Sequence, residues 1–189
     1  MSPIVWIAAA GGVVMIGLLV WWFRPGMSCR HDCSEPRYVA DSRDPLRRWV
    51  QGVMALYRGN AGDPAYWDRP CAQRQASGWS LETPADLAEL LERYRAGEVN
   101  VAFDKSRIIW LARLGQGMGW LDEQQSWQWC HYAASELVRR YPSWNAVYQD
   151  IDQGRMEWYG GQVPPEQRAR AREDFQFATT KVLPQIVFR

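Results

Sequence analysis

Three potential metal ligands lie within five residues near the start of the chain, at Cys29, His31 and Cys33. A structural zinc site needs four such ligands in a tetrahedral arrangement, usually supplied as two short pairs. The other two cysteines and the second histidine lie far from this group in sequence, so no fourth ligand is close at hand. We therefore expect no metal site, and thiols that stay reduced in a cytoplasm or pair in an oxidising compartment.

Catalytic groupings are also sparse in this sequence. Cys130 and His131 are neighbours on a predicted helix, so their side chains point about 100° apart, which does not suit a Cys–His dyad. The glycine-rich stretch 115–119 follows a helix and lacks the lysine of a phosphate-binding loop. A net charge of +1 gives no support for a nucleic-acid partner. These patterns predict no catalytic residue, no cofactor and no nucleic-acid binding.

An apolar run of 20 residues, from Ile4 to Phe23, contains no charged side chain. As a helix it extends about 30 Å, which is the thickness of the hydrocarbon core of a bilayer. The alternative is a cleaved signal peptide, but no Lys or Arg precedes the run and no small-x-small cleavage site follows it. The sequence therefore predicts an uncleaved transmembrane anchor over residues 1–23, with residues 4–23 in the membrane.

Basic residues follow the apolar run closely, whereas none precedes it. By the positive-inside rule, this asymmetry predicts that the rest of the chain lies in the cytoplasm. Residues 24–42 lack periodicity and contain both proline and glycine, which is typical of a linker. We expect a helical domain over residues 43–189. The basic residues that set the orientation are Arg24, Arg30, Arg37 and Arg43.

The remainder of the chain has helical periodicity and no alternating pattern rich in Val, Ile or Thr. Asp44 and Thr83, each followed by proline, mark two helix starts, and Asp122 and Ser143 mark two more. We expect a loop over residues 60–80, a helix break at the glycines of 115–119, and an apolar tail, 186–188, docked on the body. The predicted fold is all-α, one transmembrane helix followed by a compact bundle of about six helices, over residues 45–58, 84–96, 101–114, 123–140, 144–158 and 166–182.

Residues 100–160 carry a set of short motifs. The set reads Phe103-Asp104-x-x-Arg107, Gly115-x-Gly117-x-Gly119-Trp120, Ser126-Trp127, Tyr141-x-Ser143-Trp144 and Gly154-Arg155-x-x-Trp158. It resembles the bacterial family named domain of unknown function 1266, although that family commonly has an aromatic residue after the first glycine of the turn. The resemblance implies no particular activity. It does imply a genomic context, because relatives occur in bacterial gene neighbourhoods with secreted toxins and their neutralisers.

Two interpretations suit the polar members of these motifs. Asp104 and Arg107 are three residues apart on one helix, so their side chains can meet, and the same spacing separates Arg155 from Trp158. The first interpretation is a polar pocket of Asp104, Arg107 and Arg155, rimmed by Trp144 and Trp158, that binds a ligand or a partner's charged group. The second is a buried Asp–Arg pair that fixes the helix register, with the tryptophans in the core.

Together these observations predict a membrane-anchored, non-enzymatic binding protein of the bacterial inner membrane. Its most specific form is an immunity-type protein, which neutralises a co-encoded toxin by direct binding, so that the expected partner is a protein encoded nearby. Two alternatives stay open. One is an enzyme that uses Asp104, Arg107 and His131 in an interhelical pocket. The other is a scaffold subunit of an envelope complex.

Overall fold

The computed structural model describes residues 36–188, and within these residues the chain forms helices and no β-strand. The all-α fold class is thereby confirmed for this part of the chain. It contains eight α-helices where the sequence predicted six. They are α1 (Pro36–Asp41), α2 (Pro45–Arg58), α3 (Arg69–Gly78), α4 (Pro84–Ala96), α5 (Val101–Gly117), α6 (Glu123–Arg140), α7 (Trp144–Trp158) and α8 (Pro165–Phe177).

Side-chain caps fix the starts of four helices at the predicted residues. The Asp44 carboxylate accepts the backbone N–H groups that open α2. Thr83 and Asp122 form capping boxes at α4 and α6, and the Ser143 hydroxyl caps α7. Each cap satisfies backbone donors that the first helical turn leaves without a partner. These four predicted starts are confirmed. They could be predicted because each cap and the N–H groups that it satisfies lie within four residues of the chain.

Two helices lie in segments predicted as linker and loop. Helix α1 falls within 24–42, and α3 falls within 60–80. The start of α3 uses the same device as α2, because Asp68 caps the Cys71 N–H and Pro70 lies in the first turn. Only three residues of α3 are buried, so its apolar stripe is too short to indicate a helix by periodicity.

The glycines at the end of α5 do not break the helix where the sequence predicted. Helix α5 continues through Gly117 because both glycines within it sit against neighbouring elements. A Cβ on Gly115 would lie 2.4 Å from the Leu87 Cδ2 atom, and one on Gly117 would lie 2.3 Å from the Pro64 carbonyl oxygen. These glycines therefore permit close packing, and only Gly119, with φ +66°, adopts a turn conformation.

The C-terminal segment departs from the predicted helix over 166–182. Helix α8 ends at Phe177, and a π-helical turn, Ala178–Val182, and a 3₁₀ turn, Leu183–Gln185, follow it. The Phe188 ring then packs 4.9 Å from the Trp144 ring and 5.6 Å from the Trp49 ring. The predicted docking of the apolar tail is thus confirmed, although the Val187 side chain is 68% exposed.

Helix α5 lies at the centre of the fold and contacts α2, α3, α4, α6 and α7. It is buried over most of its length, including four charged residues. The Lys105 ammonium donates to the carbonyl oxygens of Tyr94 and Arg95 at the end of α4, at 3.1 and 3.2 Å. The Arg113 guanidinium pairs with the buried Asp63 carboxylate at 2.9 Å. These contacts compensate charges that would otherwise be costly to bury.

The segment predicted as a membrane anchor, residues 4–23, lies outside the described residues. In the described part of the chain, no helix has the length and apolar character needed to cross a bilayer. The Cys29, His31 and Cys33 group also lies outside that part. Across residues 36–188, no group of three or more His, Cys, Asp and Glu side chains is arranged to hold a metal ion. Cys130 is a free and fully buried thiol, whereas Cys71 is disulfide-bonded.

Candidate functional site

A cavity of about 430 Å³ opens where helices α2, α3, α5, α7 and α8 meet. Five arginines line it, and each comes from a different one of these helices. Asp174 is the only carboxylate among the lining residues in the described part of the chain. We call this site the arginine cavity. Its arginines are Arg58, Arg74, Arg107, Arg155 and Arg170, and its aromatic residues are Tyr57, Trp79, Phe103, Trp158 and Tyr159.

Arg107 is held between aromatic rings. Its guanidinium carbon lies 4.0 Å from the ring centroid of Phe103 and 4.0 Å from that of Trp158. One Nη atom donates to the Tyr94 hydroxyl at 2.7 Å, whereas the buried Nε atom has no acceptor. Only 5% of the residue is exposed, and no carboxylate of residues 36–188 lies within ion-pair distance. Arg107 is therefore a buried cation that rings stabilise and that forms no ion pair among the described residues.

Arg58 is a second, largely buried cation that forms no ion pair among the described residues. Its Nη2 atom donates to the Gln75 side chain at 3.1 Å, and its guanidinium carbon lies 4.8 Å from the Trp110 ring centroid. The buried Nε atom has no acceptor within the described residues. Burial lowers the pKa of Arg58, and the positive charges of Arg170 and Arg155 act in the same direction, whereas Tyr57 and the Asp174 carboxylate oppose the shift. The cavity thus places arginines where they repel one another.

Negative charge around the cavity is limited. Arg155 pairs with the half-exposed Asp152 carboxylate at 3.1 Å. Burial raises the pKa of Asp174 to about 6, although the positive charges of Arg170, Arg58 and Arg155 oppose that shift. Asp174 is therefore partly protonated near pH 6, which weakens the one internal counter-charge of the site.

The arginine cavity is where two of the sequence motifs meet. Helix α5 carries Phe103 and Arg107, and α7 carries Gly154 and Trp158. A Cβ on Gly154 would lie 2.4 Å from the Phe103 Cβ atom, so glycine allows the two helices to approach closely. The Phe103 and Trp158 rings then lie 6.4 Å apart, with the Arg107 guanidinium stacked on both. The two motifs together therefore position two aromatic rings that bind the Arg107 guanidinium.

The structure brings three of the five predicted binding residues to the cavity, namely Arg107, Arg155 and Trp158. Asp104 lies elsewhere, because its carboxylate accepts the backbone N–H groups of Glu98 and Val99 at 2.8 and 3.1 Å. Those bonds fix the turn between α4 and α5, and Asp104 forms no ion pair with Arg107.

Trp144, predicted at the rim together with Trp158, belongs to a different cluster. Its ring packs 4.6 Å from the Trp49 ring, and its indole N–H donates to the Ile186 carbonyl oxygen at 3.2 Å. It therefore anchors the C-terminal tail. His131, proposed for the enzyme alternative, packs beside Trp127 on α6 and does not line the cavity that contains Arg107.

The sequence did not indicate the other cavity residues, among them Arg58, Arg74, Arg170 and Asp174. They lie on helices far apart in the chain, and no spacing rule links them. The one available signal is compositional, because only Lys105 and Lys181 of the 22 basic residues are lysines. Arginine is the residue that stacks on rings and binds carboxylate or phosphate groups through two parallel hydrogen bonds.

Replacing Gly154 by alanine should destabilise the protein by about 1–3 kcal/mol, because the new methyl group cannot fit against Phe103. Gly78→Ala is the matched control, since a Cβ at this helical position meets nothing within 4 Å. That change should be neutral or stabilise by up to about 1 kcal/mol. Urea unfolding of the full-length protein measures both. Equal effects of the two changes would contradict close α5–α7 packing.

The stability of Asp174→Asn relative to the natural chain should depend on pH. Because burial raises the folded-state pKa of Asp174 to about 6, the folded protein binds a proton there before the unfolded chain does as pH falls. The asparagine variant should therefore be the more stable protein at pH 7.5, and this advantage should shrink as pH falls through 6 towards 4. Urea unfolding at pH 4.5, 6.0 and 7.5 tests this. If the stability advantage of Asp174→Asn instead grew as pH falls, the arginines would be stabilising the Asp174 carboxylate and lowering its pKa, which would contradict this prediction.

Comparison with known proteins gives a family and no individual relative. The family described as "Protein of unknown function (DUF1266)" matches residues 34–181, which are 148 of the 189 residues. The match contains all eight described α-helices and all five arginines that line the cavity. A search of curated proteins and a search of solved structures each gave no match. The chain belongs to the DUF1266 family.

Proposed function

We propose that this chain is a binding module that holds an acidic group of its partner molecule in the arginine cavity. The observation that carries the proposal is the convergence of five arginines, from five helices, on one cavity with a single carboxylate. Like charges brought together in a partly desolvated site repel, and an anion that binds there relieves the repulsion. Guanidinium groups also match carboxylate and phosphate oxygens in geometry.

Binding without catalysis suits the chemistry of the lining residues. Arginine stays protonated at neutral pH, so it can hold and orient an anion but does not exchange protons with it. Among the described residues that line the cavity, no serine, threonine, cysteine, histidine or lysine supplies a nucleophile. This composition favours a binding role over the alternative of an enzyme.

Neutralising two cavity arginines should weaken the binding of simple dianions. We expect sulfate and inorganic phosphate to bind saturably to the full-length protein. The double variant Arg155→Gln/Arg170→Gln should weaken this binding about tenfold or more, since a charged hydrogen bond contributes about 1.5–3 kcal/mol. The matched control is Arg139→Gln/Arg140→Gln, two exposed arginines at the end of α6. Isothermal titration calorimetry at constant ionic strength measures all three proteins. Equal affinities for the two double variants would sink the proposal.

A second candidate is the immunity-type protein, which covers and neutralises a toxin encoded nearby. Trp158 and Tyr159 favour it, because they are 44% and 38% exposed at the edge of the arginine cavity. Exposed Trp, Tyr and Arg side chains in one patch are typical of the residues that dominate protein–protein binding. In this version the acidic group belongs to the toxin.

Co-expression with the products of the adjacent genes tests the immunity role. A neighbouring protein should co-purify with the full-length chain and lose its toxicity, and Trp158→Ala should abolish both effects. Trp129→Ala, in α6 and outside the lining of the arginine cavity, should leave both intact. Toxicity that persists in the presence of the natural chain, or protection that survives Trp158→Ala, would count against this candidate.

The membrane tether is part of the proposal and rests on the apolar composition of residues 4–23. Positive-inside bias favours a cytoplasmic domain at the inner membrane. The disulfide bond at Cys71 instead favours a domain on the periplasmic side of that membrane, because disulfides persist in oxidising compartments. Protease added to spheroplasts distinguishes the two faces, since only an outward-facing domain is then cleaved.

A further inference from the structure

The mouth of the arginine cavity carries two large side chains that are exposed to solvent. Trp158 and Tyr159 are adjacent at the end of α7, and both line the cavity. One part of the Trp158 ring contacts the Arg107 guanidinium, while 44% of the residue remains accessible. Exposing an indole to water is unfavourable, and a planar group that stacks on it would remove apolar area from solvent. The rim therefore suits a ligand with a planar ring.

The interior of the cavity favours a doubly charged group over a single carboxylate. Two guanidinium groups that line the cavity, those of Arg58 and Arg107, form no ion pair among the described residues. They come from α2 and α5, so they lie on different walls. A tetrahedral dianion offers several oxygens and two negative charges to such separate donors, whereas a carboxylate offers two oxygens and one charge.

The charge balance supports the same choice. Five arginines face one cavity carboxylate, and a second carboxylate, Asp152, pairs with Arg155. Arg58 and Arg107, the two arginines of the cavity that are largely buried and form no ion pair within residues 36–188, carry two positive charges, which a dianion neutralises further than a monoanion does. The volume of about 430 Å³ falls in the usual range for small-molecule sites, roughly 300–1,000 Å³, and admits only a compact ligand.

We infer that the arginine cavity takes a phosphate monoester carried on a planar ring, the chemical class to which nucleoside monophosphates belong. The phosphate lies among Arg58, Arg107 and the arginines of α7 and α8, and the ring stacks on Trp158 at the mouth. This inference rests on the proposed binding of an acidic group at the same site. Beyond that proposal, the inference specifies that the acidic group is a doubly charged phosphate and that the molecule carrying it has a planar ring.

The experiment compares four probes on the full-length protein by isothermal titration calorimetry. They are phenyl phosphate, adenosine 5′-monophosphate, inorganic phosphate and benzoate, with a tri-aspartate peptide as a fifth arm that represents an acidic protein segment. We expect both ring-bearing phosphates to bind about tenfold or more tightly than inorganic phosphate, which is the usual effect of stacking one ring on an aromatic side chain. Benzoate should bind at least about tenfold more weakly than phenyl phosphate, because it carries one charge fewer.

Trp158→Leu should bring the affinity ratio of phenyl phosphate to inorganic phosphate close to one. Trp129→Leu, the matched control, should leave that ratio unchanged. Trp129 lies on α6 and packs against Tyr132, away from the cavity. Circular dichroism and thermal unfolding of both variants establish that each is folded, so that a changed ratio reports the site itself.

The outcomes separate the two proposals. Equal affinities for phenyl phosphate and inorganic phosphate would overturn the inferred ring stacking on Trp158. Equal affinities for benzoate and phenyl phosphate would overturn the inferred preference for a phosphate group. In both cases the proposed binding of an acidic group stands. Preference for the tri-aspartate peptide over every phosphate overturns the inference in favour of a protein partner. No saturable binding of any anion removes the proposed function together with the inference.

Discussion

Burying charged side chains on the central helix is the constraint on which the rest of this fold depends. Helix α5 is surrounded by other helices, and a charge inside a protein is costly unless it is paired or hydrogen-bonded. Arg113 meets this requirement through Asp63, and Lys105 through the last carbonyl oxygens of α4. Asp104 meets it through the backbone N–H groups of the α4–α5 turn. Each of these contacts also joins α5 to a neighbouring element.

Arg107 is the exception on that helix. Rings and one hydroxyl surround it, which stabilises the cation without neutralising it. The Gly154 contact with Phe103 positions one of those rings, so the close approach of α7 to α5 is part of the same arrangement. Three charges of α5 thus serve the fold, and the fourth is left facing a cavity that four further arginines share. This difference is the physical basis for the proposal that the cavity binds an external anion.

Local signals made much of the fold predictable. Asp44, Thr83, Asp122 and Ser143 mark helix starts because a cap and the donors that it satisfies lie within one helical turn. The same kind of signal at Asp68 was hidden in a stretch rich in glycine and proline, so α3 was predicted as loop. The sequence predicts a helix break at the glycines of α5, because their close contacts with Leu87 and Pro64 belong to tertiary structure and leave no local signal.

The site was predictable only where motifs marked it. Arg107, Arg155 and Trp158 belong to two short motifs, and the structure places all three at one cavity. Arg58 and Arg170 join them from helices that begin and end far away in sequence, so their convergence depends on how the helices pack. Asp104 shares a motif with Arg107, but backbone donors closer to it decide its contacts.

Arginine side-chain NMR shows whether the guanidinium groups of Arg58 and Arg107, which form no ion pair within the described residues, bind an anion. The Nε–H resonances of Arg58, Arg107 and Arg113 are followed while phenyl phosphate is added to the full-length protein. We expect saturable shifts at Arg58 and Arg107, with one common dissociation constant, and little change at Arg113, which Asp63 already neutralises. Unchanged resonances of Arg58 and Arg107, or shifts confined to exposed arginines, would contradict the proposed binding of an anion.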